Sequence, residues 1–392
     1  MDFDIPEDLK MIQSLVRDFV RDQLKPLERD LLGRAAGLKD ARSRLPQETE
    51  KQLMDMAKGL GLWGLGVPEN LGGAGLNTLG NCLVEEELAQ TAIPFSFGDV
   101  TPILFDCSEE QRGRFLTPLL EGDKGSYIAL MEPGRGNDPL AMKTKAAKDD
   151  GGYVLNGKKI TFSQAAPDYF AIVFALTGQG TASGRERVTC FLVDKDVQGF
   201  SVRGGGETTG WRSQLRQPLL LEFDECRLSA ADVLGEEGRA FHLGESWLPA
   251  RRITRGARCV GAAQRLLEEA VAQAQGWQSF GQSIAGRPNV EAALADIALS
   301  IHSSRLLVYH AAWKADREEL TKRDAAVVKI FTVQMIRQVA DRVSHIFAGP
   351  PGQEALPMLN LFPDLLSVEG RDPGLDVQRK IVAADLLKGL KI

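Results

Sequence analysis

The chain has 392 residues, too many for one hydrophobic core to keep growing, so two or three packed subdomains are expected. Its 47 basic and 53 acidic side chains give a formal charge of -6, which argues against nucleic acid or an anionic membrane as the main partner, since both attract positive fields. Cys82, Cys107, Cys190, Cys226 and Cys259 are scattered without a C-x-x-C pair, and the four histidines lack metal-ligand spacing, which predicts reduced thiols, a cytoplasmic location and no metal site.

Along the chain, Met11, Ile12, Leu15, Val16, Phe19 and Val20 recur at helical spacing and predict a one-faced helix over 8–29. The same N-terminus is acidic and lacks the basic start and apolar core of a secretion signal; no membrane span is expected anywhere. A second helix is predicted over 46–62. Glycine and proline then impose a tight loop on GLGVPENLGGAGL at 64–76. Helical character returns over 78–90 and 109–120.

Short apolar or alternating segments follow at 126–131, 153–155, 170–175, 188–193 and 219–223, separated by Gly, Asp and Asn. This spacing predicts an antiparallel β unit of sandwich or barrel type. Beyond about residue 238, helices are predicted over 241–275, 290–316, 323–346 and 377–390, enough for a bundle. The Gly/Pro-rich piece at 348–353 breaks helix between the last two. The expected fold class is α+β, with an N-terminal helical domain (1–125), a middle β domain (126–237) and a C-terminal helical bundle (238–392). A β insert between helical units commonly marks a ligand site where they meet.

Two local motifs carry chemistry by themselves. In MEPGRGNDP (131–139), Gly134 and Gly136 let the backbone approach a ligand closely and Asn137 can donate hydrogen bonds, although an ordinary β-turn uses the same residues. In ITFS (160–163), the Ser163 hydroxyl can donate and accept toward a ligand, or simply face water from a strand.

Taken with LGVPENLGGAGL (65–76), GGYVLNGKKITFS (151–163), VLGEEGRAF (233–241) and QSFGQSI (278–284), the motifs stand in an order and at separations that resemble the acyl-CoA dehydrogenase family from about Phe3 to Leu387. The resemblance implies a helical domain, a β domain and a four-helix bundle, assembled as a homotetramer or homodimer with FAD between domains and partly across a subunit interface. It implies oxidation of an acyl-CoA at Cα and Cβ, with electrons leaving to an electron-transfer flavoprotein. It places Met131, Gly136, Asn137, Thr161, Ser163, Phe280, His345, Gly349 and Gly374 at cofactor-contact positions, and Asn137, Trp247 and Arg251 beside the substrate. Trp247 reads more readily as a core residue, as isolated tryptophans usually do. Arg251, Arg255 and Arg258 share a helix face and could meet CoA phosphates, FAD phosphates or acidic neighbours.

The family's base is a carboxylate that must be shielded enough to be basic near neutral pH. Anchoring VQRKIVA (377–383) without a gap puts Asp372 there; a three-residue insertion would put Glu369 there instead, and both acids could also be plain surface residues. Ala250 occupies the place where some relatives carry the base on a bundle helix.

Several cofactor positions depart from the family's pattern. The strand tryptophan is Thr161, and the threonine of T-E-P is Met131. The arginine that reaches the FAD pyrophosphate is Trp277, and the glutamine after it is Pro288. The glutamine before the G-G pair is His345, the pair itself is Ala348-Gly349, and the threonine after the base is Gly374. A guanidinium fork on a diphosphate is a strong polar contact that tryptophan does not reproduce. Two alternatives follow: an FAD-deficient or half-site subunit completed in a heteromer by a homologous chain, and a flavin monooxygenase or enoyl reductase on the same fold.

Overall fold

The computed structural model describes residues 4–31, 45–134, 141–162, 168–177, 187–204, 218–245, 248–347 and 374–389. It gathers into two compact units, one formed by Met1–Met56, Leu76–Ser96 and Pro249–Ile392, the other by Ala57–Gly75 and Phe97–Leu248. The first unit is helical and the second is built on a β-sheet.

Helix α1 (Glu7–Phe19) opens the helical unit with Glu7 and Asp8 in its first turn, where acids favour the helix dipole, and buries Leu9, Val16 and Phe19. A single regular helix does not continue to residue 29. The ladder widens into a π turn over Val20–Leu24 and tightens into a 3-10 turn over Lys25–Leu27. Pro26 has no N–H to donate and its ring crowds the carbonyl four residues back, so the regular hydrogen-bond ladder must change there. Helix α2 (Gln47–Gly59) follows.

Helix α3 (Thr78–Leu88) is buried on nearly every side. Its N-terminal amides are capped twice: Asn77 accepts from the Gly80 N–H at 2.8 Å, and Asp316 accepts from Thr78 and Leu79 at 2.6 and 3.1 Å. Three successive glutamates then tie α3 to three other helices. Glu85 pairs with Arg258 on α4 (Leu248–Gly276). Glu86 accepts from the Arg305 Nε at 2.8 Å and the Tyr309 hydroxyl at 2.9 Å, both on α5 (Pro288–Ala315). Glu87 accepts from Arg17 at 2.7 Å and Gln13 at 2.9 Å on α1. Burial pushes the Glu86 carboxyl up against the pull of Arg305 and Tyr309.

Close approach of α4 to α3 needs Gly261, where a Cβ would fall inside the carbonyl oxygen of Glu86. The bundle continues through α5, α6 (Lys322–Ile346) and α7 (Leu375–Leu387), with α5 packed on α6 and α6 on α7. Pro288 stands at the first position of α5, where its missing N–H costs nothing. A capping box between Thr321 and Asp324 starts α6.

The second unit carries β1 (Gly125–Ala129), β2 (Lys145–Asp149), β3 (Gly152–Phe162), β4 (Tyr169–Leu176), β5 (Val188–Asp194), β6 (Phe200–Gly204), β7 (Pro218–Ser229) and β8 (Val233–Leu234) in one sheet, ordered β6-β7-β3-β2-β4-β5-β8 with β1 beside β4. The pairs are antiparallel except that β1 runs parallel to β4 and β2 meets β4 in parallel at Lys145 and Leu176. Both faces are covered. Ala171, Val173 and Ala175 of β4 join one apolar cluster with Tyr153, Phe191 and Phe223, while Phe170, Ile172 and Phe174 join another with Leu104, Phe115 and Leu116.

Strands β2, β6 and β8 are not legible as apolar segments. In KAAKD only Ala146 is buried, FSVRG buries only its first residue, and β8 has two residues. Conversely β3 and β7 run 11 and 12 residues, far past the predicted 153–155 and 219–223, because each pairs with the other along most of its length.

Candidate functional site

Strand β3 alternates, burying Tyr153, Leu155, Lys159 and Thr161 on one face. Position 159 therefore puts a lysine where an apolar side chain belongs, with 0% of it exposed and the buried Leu221 as its cross-strand neighbour. An unpaired ammonium there would cost several kcal/mol, on the order given for buried ions. Its Nζ instead donates to the Leu130 carbonyl at 3.0 Å and to Glu132 Oε1 at 3.1 Å.

Glu132 is satisfied in turn. Oε1 also accepts from the Thr144 amide at 2.8 Å and the Thr144 hydroxyl at 2.7 Å, and Oε2 accepts from the Lys143 amide at 2.7 Å. Thr144 reaches this place because Gly157 carries no side chain: a Cβ there, at φ +149°, would come 2.7 Å from the Thr144 Cα. Between the two charged contacts, the Met131 carbonyl accepts from the Ile160 amide at 2.8 Å. Met131 and Thr161, thirty positions apart in the chain, are thus brought onto adjacent backbone.

Burial works against the ionised Glu132, but the Thr144 hydroxyl, the two amides and Lys159 outweigh it and hold the carboxyl below its ordinary value of 4.5. Burial likewise lowers Lys159, more than Glu132 raises it. Because the folded pKa of Glu132 is depressed, its contribution to stability is complete above about 4.5 and fades as pH falls through the lower folded value. Glu132→Gln should therefore lose less stability than the unaltered chain between pH 5 and pH 3 (roughly the range of carboxylate titration), measured by urea midpoints at each pH.

The charges beside Met131 and Thr161 are mutually neutralised, so a flat ring that gains negative charge on reduction would meet a thioether, a hydroxyl and backbone rather than an uncompensated carboxylate. These residues fit the ring end of a flavin.

In the helical unit, β9 (Gln278–Ser279) and β10 (Gln282–Ser283) form a hairpin whose two turn residues, Phe280 and Gly281, both have positive φ, +56° and +77°. Such a turn matches the twist of its strands but strains a non-glycine residue. Phe280 is nevertheless 100% exposed, holding an aromatic ring outward at the tip. Trp277, in the arginine's place, is half-buried. The nearby Arg287 donates to the Ser279 carbonyl at 3.4 Å, which keeps a guanidinium on this hairpin.

Arg251 is half-buried in the first turn of α4, and of the arginines on that face Arg258 meets an acidic neighbour, Glu85. His345 is exposed in the last turn of α6, 3.9 Å from Asp341, and Gly374 is the N-cap residue of α7. Arg251, Phe280, His345 and Gly374 lie on four different elements of this unit. Gly136, Asn137, Ser163, Trp247, Gly349, Glu369 and Asp372 lie outside the described residues. Among the described residues no group of acidic, histidine or cysteine side chains could hold a metal, the five cysteines are free and buried, and no helix is long and apolar enough to cross a membrane.

Glu132, Thr144, Gly157 and Lys159 were not singled out by sequence reasoning, although three of them fall inside quoted motifs. The available signal was the lysine doublet at 158–159 within an alternating strand, where one lysine must share the face of Leu155 and Thr161.

The acyl-CoA dehydrogenase models match in three parts: the N-terminal domain at 6–123, the middle domain at 128–222 and the C-terminal domain at 241–387. The chain is similar to (R)-benzylsuccinyl-CoA dehydrogenase of Thauera aromatica, at 33% identity over 361 residues, 89% of this chain and 88% of that protein. Among solved structures it is similar to a putative acyl-CoA dehydrogenase from Mycobacterium abscessus, with 25% identity and a TM-score of 0.89 over 99% of this chain and 100% of that one. It is also similar to butyryl-CoA dehydrogenase from Megasphaera elsdenii, with 26% identity and a TM-score of 0.84 over the same shares. The chain therefore belongs to the acyl-CoA dehydrogenase family, oxidoreductases that act on the CH–CH bond of acyl-CoA thioesters.

Proposed function

We propose that this chain binds FAD and converts an acyl-CoA thioester to its trans-2-enoyl-CoA. The observation that carries this is the junction of Met131 with Ile160–Thr161 through the 2.8 Å backbone bond, which sets two positions aligned with flavin contacts side by side on a neutralised, partly buried surface. Bound FAD supplies the two-electron acceptor for the β-hydride. The chain's own work is to orient and to move one proton: Asp372, or Glu369 in its place, takes the α-proton, while Asn137, Trp247 and Arg251 hold the thioester and its CoA arm.

On the cofactor side, Met131, Gly136, Asn137, Thr161 and Ser163 take the ring end, and Phe280, His345, Gly349 and Gly374 the rest. Phe280 supports this assignment by its strained backbone and full exposure, as a ring held out to be covered. The domains 1–125, 126–237 and 238–392 associate as a homotetramer or homodimer in the cytoplasm, and electrons leave to an electron-transfer flavoprotein.

The half-site alternative draws support from Trp277, a neutral residue in the place of a phosphate-binding arginine. Purification separates the two. The FAD reading expects a yellow protein carrying close to one FAD per chain; a colourless chain that stays inactive with added FAD and gains activity only beside a homologous chain would select the heteromer.

A further inference from the structure

We propose that Lys159 and Glu132 are positioning residues that fix the register of the Leu130–Glu132 segment against β3, and so set where Met131 and Thr161 stand relative to a bound flavin ring. This rests on the flavin reading only for its last clause. The anchoring itself is carried by geometry. Lys159 grips the chain on both sides of Met131, through the Leu130 carbonyl before it and the Glu132 carboxylate after it, while the Met131 carbonyl takes the Ile160 amide. Three consecutive residues are thereby tied to two consecutive residues of β3. A slip of one residue would reverse the face on which Thr161 presents its hydroxyl.

Replacing both members of a buried ion pair by apolar side chains commonly costs nothing, so stability alone does not account for the pair; removing one member leaves the other charge buried and uncompensated. What methionine at 159 would lack is a donor for the Leu130 carbonyl and a counter-charge for Glu132, whose other three hydrogen bonds come from Lys143 and Thr144 in a different segment. Without Lys159, the 130–132 segment keeps the bonds from Lys143 and Thr144 to Glu132 and the Met131–Ile160 bond.

Hydrogen exchange and flavin binding, followed together in Lys159→Met, test this. The expected result is a tenfold or greater acceleration of exchange at the Ile160 amide relative to the Val154 and Leu155 amides. FAD should dissociate at least tenfold more readily, and its bound absorption bands should move toward those of free FAD. The urea midpoint should fall, because Glu132 keeps its charge without a partner, so the anchoring is read from exchange at Ile160 rising beyond that at Val154 and Leu155 and from the flavin spectrum. Unchanged Ile160 exchange together with the unaltered flavin spectrum and affinity would overturn the proposal, leaving the pair as filling for the core. If the unaltered chain takes up no FAD, the flavin reading fails by itself, while Ile160 exchange still decides whether the pair anchors the segment. Should Lys159→Met not fold, Glu132→Gln carries the same comparison, since it keeps the side chain's shape and removes the charge facing Lys159; faster Ile160 exchange supports the anchoring and unchanged exchange sinks it.

Discussion

Asp372→Asn is expected to lower turnover by roughly 10²–10⁴-fold, the range that general-base catalysis commonly supplies, while leaving FAD content and substrate-induced spectral change intact. An amide has nearly the size and hydrogen-bonding reach of the carboxylate but cannot accept a proton at neutral pH, so binding survives and proton abstraction does not. Aspartate is a methylene shorter than glutamate, and the segment bearing it must come about an ångström nearer the substrate for the same contact. Glu369→Gln is the matched control and is expected to change turnover by no more than about threefold, as for a solvated surface carboxylate. Steady-state rates of both variants, with flavin content measured on the same samples, decide the assignment: a large loss in Glu369→Gln with little in Asp372→Asn would move the base to Glu369 and require the three-residue insertion.

Gly261→Ala is expected to destabilise the helical unit by roughly 2 kcal/mol or more, although alanine is favoured over glycine inside a helix by about 1 kcal/mol. The added methyl would enter the Glu86 carbonyl, a backbone atom that no rotamer change can move. Relief requires α4 to withdraw from α3, and that withdrawal strains the Glu85–Arg258 pair between the same two helices. Gly256→Ala on the same helix is the internal comparison. Its Cβ would come 2.7 Å from a Val328 methyl and 3.2 Å from a Val308 methyl, buried side-chain atoms rather than backbone, and the net cost is expected to be smaller than at Gly261, about 1 kcal/mol. Urea midpoints followed by helical circular dichroism distinguish the two; equal midpoints would show that α3 and α4 are not constrained by this contact.

Much of the molecule was legible from the amino acids alone, because helices and apolar strands announce themselves through near neighbours. The spacing of Val16, Phe19 and Val20 marks the buried face of α1, and the segments 170–175 and 188–193 fall within a residue or two of β4 and β5. Helices α5 and α6 were placed equally closely, whereas α4 begins at Leu248 rather than at 241, and five ordered motifs were enough to point to the family that the three domain matches establish. By itself, then, the sequence determined the helices, the apolar strands and the family, all of which depend on side-chain periodicity or short motifs.

Tertiary structure decided what depends on partners far along the chain. Which face of β3 is buried, and with it which lysine of the 158–159 doublet, follows from the packing of the sheet; the extra residue of β7 opposite Asn156, between the Leu155–Cys226 and Gly157–Phe223 pairs, leaves the alternation of β3 unbroken. That Lys159 can remain there depends on Glu132, 27 positions earlier, and on Thr144 closing over Gly157. Likewise the glutamates at 85–87 look like a solvated run, yet three different helices turn each of them into a tether. Periodicity records which face of an element is apolar; it carries no record of which charge waits on the other side of the core, since that partner is supplied by a segment brought near only when the chain folds.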